Sequence, residues 1–182
     1  MYIDETVYSA RPTDRRTDAE EAIYDKLDEL SIPYIRVDHD HADTMEDCRI
    51  IEEKLGAPIC KNLFLCNRQQ TQFYLLMMQG EKPFKTKFLS AQLGCARLSF
   101  ADAEHMAQYL HTVPGSVSAL ELMFDTEHHI QLVIDKPLLS DEYISAHPGL
   151  SVSTLRLTRE DLLAFVRATG HEPVVVDLPV EE

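Results

Sequence analysis

The sequence predicts a single α/β domain in which a mixed, curved β-sheet is surrounded by helices. Its 182 residues, of which 45% are apolar, are enough to bury one core. Short apolar runs typical of strands alternate with segments whose apolar residues recur at helical spacing. Because strands and helices interleave from beginning to end, the pattern favours an α/β domain with a mixed sheet.

Helix boundaries are predicted from residues that begin and end helices. Thr17 or Asp18 can cap the first helix, and Asp43 or Thr44 can cap the second, which Gly56 ends. The predicted helices cover about residues 18–30, 44–55, 90–93, 102–110 and 159–169. The predicted strands cover about residues 34–38, 59–66, 73–79, 97–100, 120–124, 130–135, 153–157 and 173–177. We interpret residues 1–17 as an N-terminal extension and residues 18–182 as the domain.

Composition limits the classes of protein to which the chain can belong. Lys and Arg number 17 against 31 Asp and Glu, and the net charge of -14 disfavours a broad nonspecific nucleic-acid surface. The four cysteines contain no CxxC pair, which favours reduced thiols. Since the charged N-terminus lacks the apolar run of a signal peptide and no window approaches about eighteen apolar residues, we expect a cytoplasmic protein.

Signatures of common enzyme classes are missing from the sequence. It has no GxSxG, Walker A loop, GxGxxG after a strand or HExxH. Residues 38–43 have the composition of a metal site, but alternation on an extended chain sends neighbours in opposite directions. We interpret their histidines as solvated and residues 127–129 as a polar turn, so no metal or cofactor is expected. An enzyme of this kind would act by positioning and electrostatics.

Lys61 and Asn62 interrupt the apolar run 59–66, which otherwise reads as a buried strand. Burying an ammonium without a partner is costly. Lys61 is therefore paired, exposed at the end of the strand, or positioned to meet an anionic or carbonyl-bearing ligand. The last alternative points to a function for this strand.

Two loops carry further candidate residues. In residues 114–118, Gly115 frees the backbone to approach a ligand, and Ser116 can begin a helical turn whose N–H groups bind an oxyanion. An ordinary turn would show the same spacing. In the second loop, Pro148 restricts His147 to extended conformations. His147 is either a functional side chain or simply a solvated one.

A run of lysines and aromatic residues forms the densest basic segment of the chain. Lys82, Lys85 and Lys87 are interleaved with Phe84 and Phe88. Lysines beside aromatic rings could hold an RNA backbone and stack a terminal base. The alternative is a solvated loop with both phenylalanines anchored in the core.

Four segments together resemble the YbaK/prolyl-tRNA-synthetase-associated domain family in order and spacing. They are the Lys61-Asn62 strand, the loop 114–118, the Val133-Ile134-Asp135 strand and the His147-Pro148 loop. The resemblance covers about residues 32–176 and is greatest to the freestanding branch that hydrolyses alanine wrongly attached to proline tRNA. It implies an α/β aminoacyl-tRNA hydrolase that uses water as the nucleophile.

The resemblance also implies roles for the candidate residues, with Lys61, Asn62 and His147 as the catalytic ones. Lys61 is implied to be needed for activity, with Asn62, His147 and the Gly115-Ser116 backbone lining the aminoacyl pocket. The remaining implied substrate contacts are Pro114, Ser118 and Thr154. A pocket shaped for proline cannot strongly exclude alanine, because missing methylenes are worth only about 1 to 3 kcal/mol, and this makes a second, editing pocket necessary.

The implied partners are the acceptor end of an aminoacylated proline tRNA and, as a candidate, prolyl-tRNA synthetase. Neither DNA nor a membrane is expected. Residues 151–154 depart from the Asn-Thr that often follows the His-Pro of the family, which leaves the amino acid open. A deacylase for cysteine on the same tRNA is therefore an alternative, as is a noncatalytic module that senses an amino acid or an aminoacyl-tRNA.

Overall fold

Two β-sheets form the framework of the fold. The computed structural model describes residues 1–42 and 44–180, with the backbone alone at Met45. Its strands are β1 (Ile35–Asp38), β2 (Cys60–Cys66), β3 (Phe73–Gln79), β4 (Ser99–Phe100), β5 (Ile130–Asp135), β6 (Tyr143–Ala146), β7 (Ser153–Thr158) and β8 (Val174–Val176). The larger sheet has the order β4-β2-β3-β5-β8 and the smaller one β1-β7-β6. The larger sheet is mixed, because β2 is antiparallel to β3 and β4 whereas β3, β5 and β8 are parallel.

Helices pack on both faces of the larger sheet. In the described ranges the α-helices are α1 (Asp18–Glu29), α2 (Met45–Leu55), α3 (Thr86–Leu93), α4 (Ala103–Leu110) and α5 (Arg159–Ala168). Thr17 begins α1 in a capping box, and the Thr44 hydroxyl begins α2 by accepting from the Asp47 N–H. The other predicted cap of α2, Asp43, lies outside the described residues. The α/β class predicted from the sequence is confirmed, with the strands divided between two sheets.

Some element predictions differ from the structure. The strand predicted at residues 120–124 is wrong, because these residues form a 3₁₀ helix, Ala119–Phe124, which Ser118 begins through a capping box with Glu121. Leu120 and Leu122 are both fully buried, so their apolar character reflects core packing and not alternation across a sheet. The prediction also lacks β6, and α3 begins earlier than its predicted start at residue 90.

Alternation along β2 sends successive side chains into two different cores. Cys60 and Phe64 pack into the core that both sheets share with α1, α4 and α5. Leu65 packs on the opposite face, against α3 and β8. Asn62 therefore lies on the face of the shared core and Lys61 on the face of α3. This alternation decides which of the predicted site residues can meet.

The N-terminal residues run beside β1. Ile3 and Tyr8 form antiparallel bridges with His39 and Arg36. The division into an extension over residues 1–17 and a domain from residue 18 onward stays a prediction. Within the described residues, every helix is too short or too polar to cross a membrane.

Candidate active site

A cavity of about 250 Å³ lies at the start of β2, where side chains from separate parts of the chain meet. Its wall is formed by Cys60, Asn62, Leu63, Phe64, Phe100, Ala101, Met106, Pro114, Gly115, Val117 and His147. Four of these residues, Asn62, Pro114, Gly115 and His147, are candidates from the sequence. The fold thus brings three predicted segments to one cavity.

His147 follows β6 and carries an unshared ring nitrogen. Its Nδ1 lies 3.2 Å from the carbonyl oxygen of Ser153 and 3.2 Å from Oγ1 of Thr154. A carbonyl oxygen only accepts, so Nδ1 carries the proton and Nε2 is an acceptor without a partner among the described residues. Burial lowers the pKa of His147 from its ordinary 6.5 to about 4, so the ring is neutral at physiological pH.

A second histidine, His39, is linked to His147 through the hydroxyl of Thr154. The His39 side chain is buried, with Nδ1 2.6 Å from the carbonyl oxygen of Asp40 and Nε2 2.7 Å from Oγ1 of Thr154. By the same reasoning, Nδ1 donates to the carbonyl and Nε2 accepts from the threonine hydroxyl. Thr154 therefore donates to His39 and accepts from His147. The expectation that the histidines of residues 38–43 are solvated is wrong for His39.

Asn62 presents a buried and unpaired oxygen atom at the cavity. Its Nδ2 donates to Sγ of Cys60 at 3.6 Å, and the Cys60 thiol donates to the carbonyl of Ser145 at 3.4 Å. Oδ1 of Asn62 is buried without a hydrogen-bond partner among the described residues. Since an unpaired buried acceptor costs about 1–3 kcal/mol, the site favours a ligand that donates a hydrogen bond, such as an ammonium group.

The Pro114-Gly115 turn brings backbone to the cavity wall. Gly115 has a φ of +86°, and an added Cβ would lie 3.0 Å from Nε2 of His41. Its N–H makes no hydrogen bond to another described residue, whereas the Ser116 N–H donates to a carbonyl within the turn at 3.1 Å. The prediction that Ser116 begins a helical turn is wrong, because that turn begins at Ser118. The Gly115 amide is therefore the donor that remains for a ligand.

Ser118 and Glu121 support the His147 loop from inside the core. The Ser118 hydroxyl donates to the carbonyl of His147 at 2.7 Å, and its oxygen also makes a short contact with the fully buried carboxyl of Glu121. A hydroxyl has one proton, so the second hydrogen bond needs a proton from Glu121. Burial acts in the same direction, since it raises the pKa of Glu121 well above its ordinary value. Glu121 is thus a neutral acid that orders the loop.

Three predicted substrate contacts lie behind the cavity wall. Ser116 and Ser118 are each 1% exposed, and Thr154 is fully buried. The Ser116 hydroxyl accepts from the N–H of Ser151 at 3.0 Å, while the other two hydroxyls hold His147. In this structure these side chains position the Gly115 turn and His147 and do not line the cavity.

Lys61 lies on the face of β2 opposite to Asn62 and is not part of the cavity wall. Its Nζ donates to the carbonyl of Lys82 at 2.7 Å. Within the described residues no carboxylate forms an ion pair with it, and burial lowers its pKa below the ordinary value. The ammonium keeps two further N–H donors. The catalytic role of Lys61 stays a prediction.

The three predicted RNA-binding lysines have different surroundings. Nζ of Lys82 lies 2.6 Å from Oδ2 of Asp135 and 2.6 Å from the carbonyl oxygen of Leu178. The Lys82 and Asp135 side chains are only 8% and 0% exposed, so this cation is used inside the fold and is not displayed for RNA. Lys85 and Lys87 are exposed and line a groove of about 790 Å³.

Other parts of the described chain offer weaker candidates. A cavity of about 570 Å³ beside α2 includes Lys82 but none of the candidate catalytic residues. No group of three or more His, Cys, Asp or Glu side chains is arranged to hold a metal ion in the ranges that the structure describes. The cavity at Asn62 and His147 is therefore the candidate active site.

Several known proteins are similar to this chain in sequence and in fold. The aminoacyl-tRNA editing domain family model matches residues 39–165. The prolyl-tRNA editing protein ProX of Acetoanaerobium sticklandii is 32% identical over 161 residues, which are 88% of this chain and 98% of that protein. The prolyl-tRNA synthetase associated domain-containing protein 1 of Danio rerio is 30% identical over 167 residues, or 91% of this chain and 88% of that protein.

A solved structure extends the likeness to three dimensions. A crystal structure described as that of a proposed trans-editing enzyme for prolyl-tRNA synthetase superposes with a TM-score of 0.68 at 19% identity, over 92% of this chain and 100% of that one. At this identity the likeness concerns the fold. The family inferred from four short sequence segments is confirmed: the chain belongs to the aminoacyl-tRNA editing domain family.

Proposed function

We propose that this protein is a trans-editing hydrolase that removes alanine wrongly attached to proline tRNA. Membership of the aminoacyl-tRNA editing family makes hydrolysis of an aminoacyl ester the activity, and the names of the relatives point to prolyl-tRNA. One observation carries the proposal. An unpaired amide oxygen of Asn62, a ring nitrogen of His147 without a partner among the described residues, and the backbone of Gly115 meet at one small cavity.

Each of these groups suits one part of an alanyl ester. The ammonium of alanine donates to Oδ1 of Asn62 and so pairs the buried oxygen. The oxygen of the ester carbonyl accepts a hydrogen bond from the Gly115 N–H. This hydrogen bond becomes stronger as negative charge develops on the carbonyl oxygen. A well-placed donor of this kind contributes on the order of a hundredfold or more to the rate.

Water is the nucleophile, and His147 orients it. The water oxygen bonds to the ester carbon, the bond from that carbon to the ribose oxygen breaks, and the proton lost by water ends on the ribose oxygen. The products are alanine and a free tRNA hydroxyl. With a pKa of about 4, His147 is a weak base, so Nε2 aligns the water instead of removing its proton in a separate step. The adjacent ribose hydroxyl can relay that proton.

Lys61 is proposed as a second donor to the developing oxyanion. Its ammonium donates to a backbone carbonyl in the structure and lies at the end of a flexible side chain. Lys61 lies between Cys60 and Asn62 in β2. β4 pairs with Leu65 and Cys66, at the other end of the strand. The part of β2 that contains Lys61 is therefore not covered by β4. Rotation of the Lys61 side chain around this uncovered edge of the strand would bring its ammonium to the ester.

Selectivity comes from the shape of the cavity wall. The side chains of Phe64, Met106 and Val117 surround the polar groups within about 250 Å³. A methyl side chain fits against such a wall, whereas the proline ring needs more room and overlaps with it. Cysteine is larger than alanine by one sulfur atom, so a cysteinyl ester on the same tRNA is the alternative substrate.

The test is a panel of alanyl-, cysteinyl- and prolyl-tRNA of the proline isoacceptor, with release of the amino acid as the readout. We expect rapid hydrolysis of the alanyl ester, slower hydrolysis of the cysteinyl ester and none of the prolyl ester. Asn62→Ala should lower kcat/KM by about tenfold or more. Gln108→Ala, on the exposed side of α4, is the matched control.

Each other outcome has a distinct meaning. Faster hydrolysis of the cysteinyl ester would reassign the substrate. Binding of alanyl-tRNA without turnover would favour the noncatalytic sensing module. Hydrolysis of none of the three esters, together with no binding, would overturn the proposal.

The proposed partners follow from the proposed substrate. They are the acceptor end of aminoacylated proline tRNA, since the name of the Acetoanaerobium sticklandii relative mentions prolyl-tRNA, and prolyl-tRNA synthetase, which the name of the Danio rerio relative mentions. We propose that they meet in the cytoplasm, where aminoacyl-tRNA is used. Retention of this protein on immobilised prolyl-tRNA synthetase, with and without tRNA, measures the second contact.

A further inference from the structure

We propose that the groove formed by Phe84, Lys87, Arg97 and Phe100 binds the single-stranded nucleotides that precede the esterified adenosine of the substrate. The inference rests on the proposed function, because it takes the end of a tRNA as the ligand. The proposed surface includes Arg97 and Phe100, which the sequence pattern does not place beside Lys87.

Charge is the first observation that points to RNA. The chain carries a net charge of -14, yet Lys85, Lys87 and Arg97 line one groove of about 790 Å³. Within the described residues no acidic side chain lines it, and neither Lys87 nor Arg97 forms an ion pair. Both side chains are exposed. A local cationic surface on an acidic protein suits a short polyanionic segment and excludes a long duplex footprint.

Aromatic rings are the second observation. Phe100 is 62% exposed, which is unusual for a phenylalanine, and its ring centre lies 6.4 Å from that of Phe84. An exposed ring beside cations is a platform on which an unpaired base stacks, and the half-buried Phe84 supports it from the side, whereas the bases of a duplex are already stacked on each other. The groove therefore favours single-stranded RNA over the paired part of the acceptor stem.

Continuity with the active site is the third observation. Phe100 lines both the groove and the candidate active-site cavity, and the next residue, Ala101, also lines the cavity. Phe100 belongs to β4, the edge strand of the larger sheet. A strand of RNA that places its terminal ester beside Asn62 thus passes over the sheet edge at Phe100, and the preceding nucleotides reach Arg97 and Lys87.

The experiment compares two exposed substitutions with two matched controls. Arg97→Ala and Phe100→Ser change the groove, whereas Arg68→Ala in the β2–β3 turn and Ile50→Ser on α2 change an exposed arginine and an exposed apolar residue elsewhere. Hydrolysis of alanyl-tRNA gives kcat and KM. Fluorescence anisotropy with a short labelled RNA ending in CCA, and with a blunt RNA duplex, gives binding without chemistry. Circular dichroism confirms that each variant is folded.

We expect each groove variant to raise KM and the dissociation constant of the single strand by about tenfold. Arg97 lies outside the cavity wall, so Arg97→Ala should also leave kcat within about twofold of the original. The controls should change neither. Arg97→Ala should also reduce the salt dependence of binding, because one phosphate contact is lost. The duplex should bind more weakly than the single strand.

The outcomes separate this inference from the proposed function. If the protein hydrolyses alanyl-tRNA but both groove variants keep the original KM and single-strand affinity, the groove is not the RNA surface and the proposed activity stands. If the protein hydrolyses no ester but binds the single strand through Arg97 and Phe100, the groove stands and the activity is overturned. Equal loss in groove variants and controls would also overturn the groove.

Discussion

At the residue scale, the candidate active site depends on where the protons lie on three side chains. The Thr154 hydroxyl donates to His39 and accepts from His147, which keeps the proton of His147 on Nδ1 and leaves Nε2 as the acceptor. Neither Thr154 nor His39 lines the cavity, so both are positioning residues.

Thr154→Val removes this hydroxyl but nearly preserves the shape of the side chain. We expect kcat to fall by roughly tenfold or more with KM almost unchanged, because His147 still lines the cavity but its Nδ1 is held by the Ser153 carbonyl alone, so the ring is less firmly oriented. Steady-state kinetics on alanyl-tRNA and nitrogen NMR of the His147 ring measure the two effects. Thr154→Ser, which retains the hydroxyl, is the control. An equal loss in both variants would show that the hydroxyl is not the cause.

Glu121 allows a test of a buried neutral acid. Glu121→Gln should keep the free energy of unfolding at neutral pH, because the amide oxygen can accept from the Ser118 N–H while the amide nitrogen donates to Oγ. Glu121→Ala leaves Ser118 unpaired beside a cavity and should lose about 2 to 4 kcal/mol. Denaturant unfolding measures both, and a glutamine variant as unstable as the alanine variant would mean that the carboxyl is ionised.

The pH dependence of the same pair follows from the raised pKa of Glu121. A carboxyl whose pKa is raised in the folded state contributes stability below its unfolded pKa, and this contribution is lost as the pH rises toward the folded value. The original protein should therefore lose stability relative to Glu121→Gln as the pH increases.

At the element scale, strand β2 divides its two polar residues between opposite faces. Asn62 lies at the cavity and Lys61 lies over the Lys82 carbonyl. If Lys61 reaches the ester as proposed, Lys61→Ala should lower kcat by about a hundredfold with little change in the free energy of unfolding. Lys136→Ala, an exposed lysine elsewhere, is the control. An effect confined to KM would show that Lys61 only holds the segment at Lys82.

The turn at Gly115 is the second element on which the site depends. Gly115→Ala places a Cβ 3.0 Å from the His41 ring at a φ of +86°. We expect a loss of about 1–3 kcal/mol in unfolding free energy and a larger relative loss of activity, because the amide donor moves. Adding His41→Ala removes the contact but not the backbone strain, so activity should recover only in part. Full recovery would mean that the backbone conformation is unimportant.

At the scale of the whole molecule, buried neutral histidines link stability to pH. Burial lowers the pKa of His147 to about 4 and also lowers that of His39. At a pH between the lowered pKa of each folded histidine and its ordinary pKa of 6.5, the unfolded chain therefore binds more protons than the folded one. The stability contributed by the neutral rings is complete above about pH 6.5 and is lost as the pH falls toward 4, by about 3 kcal/mol for His147.

Unfolding measured from pH 7.5 down to 4.5 tests this dependence. His147→Gln should show a shallower decline than the original protein. His105→Gln, at a half-buried histidine that bonds Asp102 at the start of α4, should decline as steeply as the original. A decline as steep in His147→Gln as in the original would assign the acid sensitivity to carboxylates instead.

Across the whole chain, the sequence predicted well what depends on neighbouring residues. The cap at Thr17 and the helix end at Gly56 are local signals, and both are correct. Ser118 and Glu121 form a local capping signature too, and it could have identified the 3₁₀ helix that was predicted as a strand. His39 offers no such signal, because its burial depends on β7 and on the N-terminal residues beside it.

The sequence by itself determined the α/β class, the order of most elements, and Asn62, Gly115 and His147 as candidate residues, because strand, helix and turn preferences act over a few neighbouring positions. The family resemblance implied that these three line one pocket, and only the tertiary structure decided that Lys61 faces away from it and that Arg97 joins Phe100 in a groove. Such relations depend on contacts between residues far apart in the chain and on which polar groups lose water, and no local pattern contains that information.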